Sequence, residues 1–258
     1  MINPLGNWRG MLTLFGKEVR RFLKVSMQTL LTPIVTALLY LLVFGHVLED
    51  QVQTYAGLTY SAFIIPGLIM MTMIQNAFAN SSSSLIQSKV GGSLVFVLLA
   101  PLSSLEFYLA FVAAAIGRGI LVGVGVYAAT YWFAPLPIYS LLNVVIFGIL
   151  ASATLGTLGI IAAIWADHFE QLSAFQNFII LPLSFLSGVF YSIHSLPLVW
   201  QGISRFNPFF YMIDGFRYGF FGISDVAPSI SLLVTTGFLL VLSALCLLLL
   251  YKGYKLRR

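Results

Sequence analysis

Of the 258 residues, 59% are hydrophobic and 8% are charged, against about 45 to 50% and about 25% in soluble domains. Thirteen basic and eight acidic side chains cannot clothe a globule of this size, so a water-soluble fold is excluded and lipid is the solvent for most of the surface. Cys246 is the single cysteine, which excludes an intramolecular disulfide, a CxxC redox pair and a multi-cysteine metal cluster. Between Leu245 and Leu247 it reads as an inert apolar side chain.

The first 24 residues read as an amphipathic helix. Trp8, Met11, Leu12, Phe15, Val19 and Phe22 recur at helical spacing on one stripe, and Lys17, Arg20, Arg21 and Lys24 gather on another. Such a helix lies in the headgroup layer as an electrostatic anchor to anionic lipid, a role compatible with contact to a cytoplasmic partner. Val25 to Val47 then contains no Asp, Glu, Lys or Arg, and about 20 helical residues cross the hydrocarbon core. The run is too long for a signal peptide and Gly45-His46 offers no A-x-A site, so it is expected to stay in the mature protein.

Further charge-poor stretches run over Thr59 to Asn80, Phe107 to Phe133, Tyr139 to Ala166, Leu172 to Tyr191 and Ile230 to Tyr251. The expected fold is an all-α integral membrane protein with six transmembrane helices. It is expected to form a single transmembrane domain over 1–258: an interfacial helix (1–24), a six-helix membrane domain (25–251) and a basic tail (252–258). Arg9, Lys17, Arg20, Arg21, Lys24, Lys89, Lys252, Lys255, Arg257 and Arg258 fall on one side, whereas the opposite loops carry Arg205 and Arg217. By the positive-inside rule both termini are cytoplasmic.

Residues 48–58 and 134–138 read as short outer turns, the second marked by Pro135 and Pro137. Two connections are too long for turns and too apolar for free loops: 81–106 inside and 192–229 outside. These two are expected to carry function. The inner one holds Lys89, the flexible pair Gly91-Gly92 and the apolar run Leu94 to Leu99 before Pro101, which predicts a short helix after the glycines that ends near the proline. An apolar helix there either lies in the headgroup layer or is covered by a partner. In the outer one, Leu196-Pro197, Trp200, Asn207, Pro208, Tyr211, Asp214 and Arg217 suggest a re-entrant helical hairpin at the outer interface. Asp214 and Arg217, three apart, are placed to pair as a staple of that hairpin. Phe63-Ile64-Ile65 before Pro66 and Phe178-Ile179-Ile180 before Pro182 are too short a match to make an internal repeat.

Arg118 lies about halfway along span three, where a cation costs about 2.5 to 3.5 kcal/mol on insertion scales. No acid sits at that depth in any span, so its partners are expected to be backbone carbonyls, a polar side chain or a hydrated cavity. It is either glue between helices or part of a substrate path. Gly117, Gly119, Gly123 and Gly125 around it, with Gly148, Ser152 and Gly156 on span four, predict close packing of spans three and four. Tyr40, Phe44, Phe175 and Tyr191 are candidates to line a route, although such aromatics more often face lipid or pack.

Catalytic constellations are poor. His46, His168 and His194 fall near span ends on both sides of the membrane, and the acid-histidine group Asp167, His168 and Glu170 sits in a wet inner turn. Gly16-Lys17 is followed by Glu18, and Met11 stands where a P-loop needs its first glycine. The chain is not expected to be an enzyme, to hold a cofactor or metal, or to bind nucleic acid.

These residues together resemble the permease subunits of type-2 ATP-binding-cassette exporters, a family that includes antibiotic-efflux, nodulation-factor and polysaccharide-export permeases. The resemblance covers nearly the whole chain. It rests on the basic interfacial helix, Ile65-Pro66-Gly67, Leu98-Leu99-Ala100-Pro101, Arg118-Gly119, and the outer pattern Pro197, Trp200, Asn207-Pro208, Tyr211, Phe216-Arg217 and Gly222. It implies a bacterial inner-membrane permease that pairs with a second copy, and two cytoplasmic ATPases that bind ATP and Mg and drive export of amphipathic, lipid-linked or polysaccharide cargo. It also implies that residues 84–103 form the coupling segment seated in an ATPase cleft. Many members carry an acidic pair where this chain has Val95 and Phe96, so the contact here is expected to be apolar. The rivals are an ion-coupled secondary transporter, which needs intramembrane acids, and an intramembrane enzyme, which needs converging His, Asp or Cys groups.

Overall fold

The computed structural model describes residues 7–47, 57–134 and 136–255. The outer turn at 48–56, Pro135, Arg257, Arg258 and the side chain of His46 lie outside the described residues. Among the described residues all regular structure is helical. Helix α1 (Trp8–Lys24) starts at Asn7, whose side chain accepts the Gly10 N–H at 2.9 Å. Only Val25 separates it from α2 (Ser26–Val47). The buried face of α1 is Met11, Leu14, Glu18 and Phe22. Trp8 and Leu12, expected on the apolar stripe, are exposed, because the helix rests on α5 (Ser104–Thr130) and this contact selects a stripe rotated from the one read off the sequence.

Helix α3 (Tyr60–Val90) is the centre of the bundle and packs against α5, α6 (Leu141–Trp165), α2 and α10 (Pro208–Phe221). It runs well past Asn80, where the second span was expected to end. The serine tract 81–84 stays helical because Ser81, Ser82 and Ser84 are buried against neighbours. A Cβ on Gly159 of α6 would stand 2.5 Å from the Phe78 carbonyl oxygen, so glycine brings the two backbones together there. The connection outside the spans is therefore short: Gly91, Gly92 with φ +71°, the six-residue α4 (Leu94–Leu99), and Pro101. Helix α5 opens on a capping box between Ser103 and Glu106. The same carboxylate accepts the backbone N–H of Asn7, which ties the start of α1 to the start of α5.

The expected glycine contacts between spans three and four form in part. A Cβ on Gly119 would lie 2.5 Å from Ser152 Oγ, and one on Gly156 2.6 Å from Ala115 Cβ. Gly123 and Gly148 instead make room for Met73 of α3, and Gly125 faces Ile34 of α2.

Among the described residues, five helices are long and apolar enough to cross a membrane: α2, α3, α5, α6 and α11 (Pro228–Lys252). The fifth expected span, Leu172 to Tyr191, is shorter and broken. Helix α7 (Phe169–Phe175) passes into a π-helical turn (Gln176–Ile180) and then α8 (Leu181–Phe185). Pro182 has no N–H to give and crowds the preceding turn, and the widened turn just before it absorbs the misfit. The continuous helix spans about 25 Å, less than the hydrocarbon core. Beyond it the chain turns at Gly188, with φ +75°, through a 3₁₀ turn (Ile193–Ser195) into α9 (Leu198–Phe206).

Helices α9 and α10 join at a single residue and pack little against each other beyond it. Asn207 ends α9 and caps α10, accepting the Phe209 N–H at 3.0 Å and donating to the Leu183 carbonyl at 2.7 Å, while Pro208 takes the first helical position. Gly222, with φ +69°, closes α10. Helix α10 packs into the bundle against α6, α11 and α3, with most of its side chains buried. The C-terminal ends of α3, α6 and α11 meet at one end of the bundle, joined there by the α1–α5 contact. At the other end, the Tyr139 and Ser140 N–H groups bond to the Phe220 and Gly219 carbonyls, which ties the start of α6 to the end of α10.

Candidate functional site

Arg118 lies near the middle of α5, and its Nη2 donates to Asn76 Oδ1 on α3 at 3.1 Å. The Asn76 amide nitrogen donates to the Thr72 carbonyl at 3.0 Å, which leaves its oxygen facing the guanidinium. Among the described residues no carboxylate bonds to Arg118, and its buried Nε has no partner there. The space beside it is a cavity of about 530 Å³. Gln28, Thr32 and Thr36 line it from α2, Gln75 and Ser83 from α3, and Gln176 from the π-helical turn. Pro33 adds to its polarity, since it has no N–H to give the Thr29 carbonyl. Of the environments expected for Arg118, the structure supplies a polar side chain and a polar cavity.

Arg21 reaches the same cavity from the end of α1. Its guanidinium donates to the Asn80 carbonyl at 2.8 Å, to Asn80 Oδ1 at 3.0 Å and to Glu18 at 3.2 Å. Glu18 is fully buried and compensates this cation, so Arg21 is not part of a solvated basic stripe. A second cavity of about 600 Å³, lined by Lys17, Arg20, Lys24 and Gln87, shares Arg21 and Val25 with the first. The two form a basic vestibule that leads into a polar chamber. Arg21 was expected in the basic headgroup stripe and not beside Arg118, and Asn76 and the α2 stripe were not singled out, although Gln28, Thr32 and Thr36 recur every four residues in an otherwise apolar span.

In the connection between α3 and α5, Leu94 anchors α4 by burial while Val95, Phe96 and Leu99 are 51%, 76% and 76% exposed. The expected helix between the glycines and Pro101 is present, with its apolar side chains uncovered. Lys89, expected to belong to this contact surface, is engaged elsewhere. Its Nζ donates to the Ile164 and Ala166 carbonyls at 3.1 and 2.6 Å and to Asp167 at 3.2 Å. A lysine there satisfies carbonyls that the end of α6 leaves without helical donors. Asp167 also accepts Lys255 Nζ at 2.7 Å, and the Lys255 bond, ahead of the Lys89 bond, holds its carboxyl down to about 2. Among the described residues no three His, Cys, Asp or Glu side chains gather as a metal site.

In α10, Asp214 and Arg217, expected to staple a hairpin, are not joined by a hydrogen bond or ion pair among the described residues. Both are fully buried, and each holds a different segment. The Asp214 carboxylate accepts the backbone N–H groups of Asp225 and Val226 at 2.8 and 3.1 Å. Arg217 donates to the Gly188 carbonyl at 2.6 Å and lies 4.0 Å over the Phe63 ring. Backbone groups exposed by the turns at 188 and 225 have no helical partners, and inside a bundle they outcompete a side chain one helical turn away. A Cβ on Gly67 would stand 2.9 Å from the Val189 carbonyl oxygen, so Pro66-Gly67 and Phe216-Arg217 meet on the same turn. Tyr211 donates to the Arg205 carbonyl at 2.9 Å and braces the α9–α10 junction. Tyr40, Phe44, Phe185 and Phe190 pack ring on ring at this end, and Phe175 stacks on Phe78.

The family model for ABC-2 type transporters matches residues 9–221. Inner membrane transport permease YadH of Escherichia coli (strain K12) is 35% identical over 250 residues, covering 97% of this chain and 98% of that protein. Nodulation protein J of Rhizobium leguminosarum bv. trifolii is 26% identical over 201 residues, covering 75% and 74%. The matched region takes in α1, the chamber, α4 and the α9–α10 segment, and on that extent the chain, a multi-pass membrane protein, belongs to the ABC-2 type transporter family.

Proposed function

We propose that this chain is the permease subunit of an inner-membrane ABC exporter, working as a pair of permeases with two separate ATPase subunits. The observation that carries the reading is α4: an apolar face of Val95, Phe96 and Leu99 left uncovered at the end of the bundle where the basic residues gather. That end is cytoplasmic by the positive-inside rule, which places both termini inside. The α7–α8 segment, continued through the turn to Tyr191, completes a sixth crossing, and the α9–α10 segment re-enters from outside. ATP and Mg are bound by the partner. The chamber beside Arg118 belongs to the translocation route for an amphipathic, lipid-linked or polysaccharide cargo. The polar stripe Gln28, Thr32 and Thr36 is exposed on α2, and lipid is a poor neighbour for it. A second permease copy across a hydrated route is a better one. YadH is named a transport permease of the inner membrane, in keeping with this reading.

Single cysteines at Val95, Phe96 and Leu99, introduced beside the buried Cys246, are expected to cross-link to a co-expressed ATPase. Val95→Glu and Phe96→Glu are expected to weaken assembly or uncouple hydrolysis from export, because a carboxylate in that contact is desolvated without a partner. No cross-link from any of the three, with export unchanged in both Glu variants, makes α4 a helix resting in the headgroup layer and removes the reading.

A further inference from the structure

We propose that the basic vestibule and the polar chamber together bind the phosphate head of a lipid-borne amphiphile that enters from the inner leaflet. The proposal rests on the permease reading and names the chemistry its route selects.

The arrangement of charge points to an anion. Lys17, Arg20 and Lys24 line the vestibule, Arg21 stands where vestibule and chamber join, and Arg118 lines the chamber beyond. Arg21 is compensated by Glu18. Arg118 is not, since among the described residues no carboxylate lines the chamber and the guanidinium's hydrogen bond goes to neutral Asn76. An intramembrane guanidinium with unused donors is a costly feature that an incoming anion would offset. Phosphate suits it best, because the planar fork of arginine offers parallel N–H donors to two phosphate oxygens. Gln75 Nε2, buried in the same lining without a partner, adds a neutral donor. A cation would be repelled by both guanidiniums. At about 530 Å³ the chamber falls in the size range of small-molecule sites.

The remainder of the ligand is set by what borders the chamber. The polar stripe of α2 lies beside exposed Leu31, Val35 and Leu39 on the same helix. A head in the chamber therefore leaves an apolar chain against lipid-facing side chains, with no apolar group forced past the arginines. The shared chemistry is an anionic phosphate on a lipid, uncompensated by a headgroup cation such as the choline of phosphatidylcholine, whether on a resident acidic glycerophospholipid or a lipid-linked cargo.

The test uses the purified full-length chain in phosphatidylcholine nanodiscs without its ATPase, so that it reads binding alone. Fluorescent phosphatidic acid and fluorescent phosphatidylcholine are titrated in parallel. Wild type is expected to hold phosphatidic acid about tenfold more tightly. Arg118→Gln is expected to lose that preference and Arg118→Lys to keep part of it. Thr32→Trp fills the chamber and leaves both arginines in place, and is also expected to abolish the preference, which covers a folding defect in the Arg118 variants. Displacement by inorganic pyrophosphate assigns the selectivity to phosphate alone, and failure to displace assigns it to phosphate carried on a lipid. Equal binding of the two lipids by wild type, or a preference untouched by Arg118→Gln and Thr32→Trp, overturns the proposal. The permease reading stands or falls separately, on the α4 cross-links.

Discussion

Lys89 at the end of α3 and Asp167 just beyond α6 are joined at 3.2 Å, and Lys255 closes on the same carboxylate at 2.7 Å. Three helix ends are thus tied at one acid. The arrangement explains why Lys89 is withheld from the α4 surface, and it fixes the C-terminal end of α3, after which Gly91 and Gly92 lead into α4.

Asp167→Asn is expected to lower the melting temperature in detergent by a few degrees at most, since the carboxylate is one third exposed and screened by solvent. Its pH dependence is more diagnostic. A carboxyl held down to about 2 contributes stability above its unfolded value of about 3.9 and loses it as pH falls through that window. The gap between wild type and Asp167→Asn is expected to be constant from about pH 5 to 8 and to close between about pH 4 and 2. Melting curves across that range check it.

For Arg118, Leu is expected to insert normally but lose transport, while Lys retains part of it. Lys keeps the charge but offers fewer, less directional donors toward Asn76 and the chamber. Export assays alongside membrane-fraction yields check the pair, and wild-type export by the Leu variant would mark the charge as dispensable.

Glycine positions separate by what they touch. Gly159→Ala forces a methyl to 2.5 Å from the Phe78 carbonyl and is expected to cost about 1–3 kcal/mol. Gly117→Ala meets nothing within 4 Å and is expected to be neutral or to stabilise by up to about 1 kcal/mol through helix propensity. Thermal unfolding of the two variants in one detergent gives the comparison.

Arg217→Ala is expected to destabilise by about 2 kcal/mol or more, because it leaves the Gly188 carbonyl unpaired in a closed interior and uncovers Phe63. Asp214→Ala is expected to loosen the 225–226 turn, leaving Arg217 and the 188–189 turn in place. If the two residues instead form one functional pair, the double variant will be no worse than either single one. Limited proteolysis and melting curves of all three decide.

Composition and charge-free run lengths were enough to make this an all-helical membrane protein, because a bilayer demands about 20 apolar residues per crossing and those runs stand out in one dimension. Gly91, Gly92 and Pro101 likewise bounded α4 in advance, since glycine and proline act through the local backbone. Other features depended on partners distant in sequence. The serine tract after Asn80 reads as a loop until α6 covers it, and the π-helical turn before Pro182 depends on how the chain accommodates that proline. The buried face of α1 was set by α5. Most of all, the partners of charged groups were illegible: Asp214 and Arg217 looked like a pair at helical spacing, and Lys89 looked free. Which carbonyl or N–H lies beside a buried charge is decided by where turns such as 188–189 and 225–226 come to rest in three dimensions, and inside the bundle an unsatisfied backbone group binds that charge more strongly than spacing along a helix can predict.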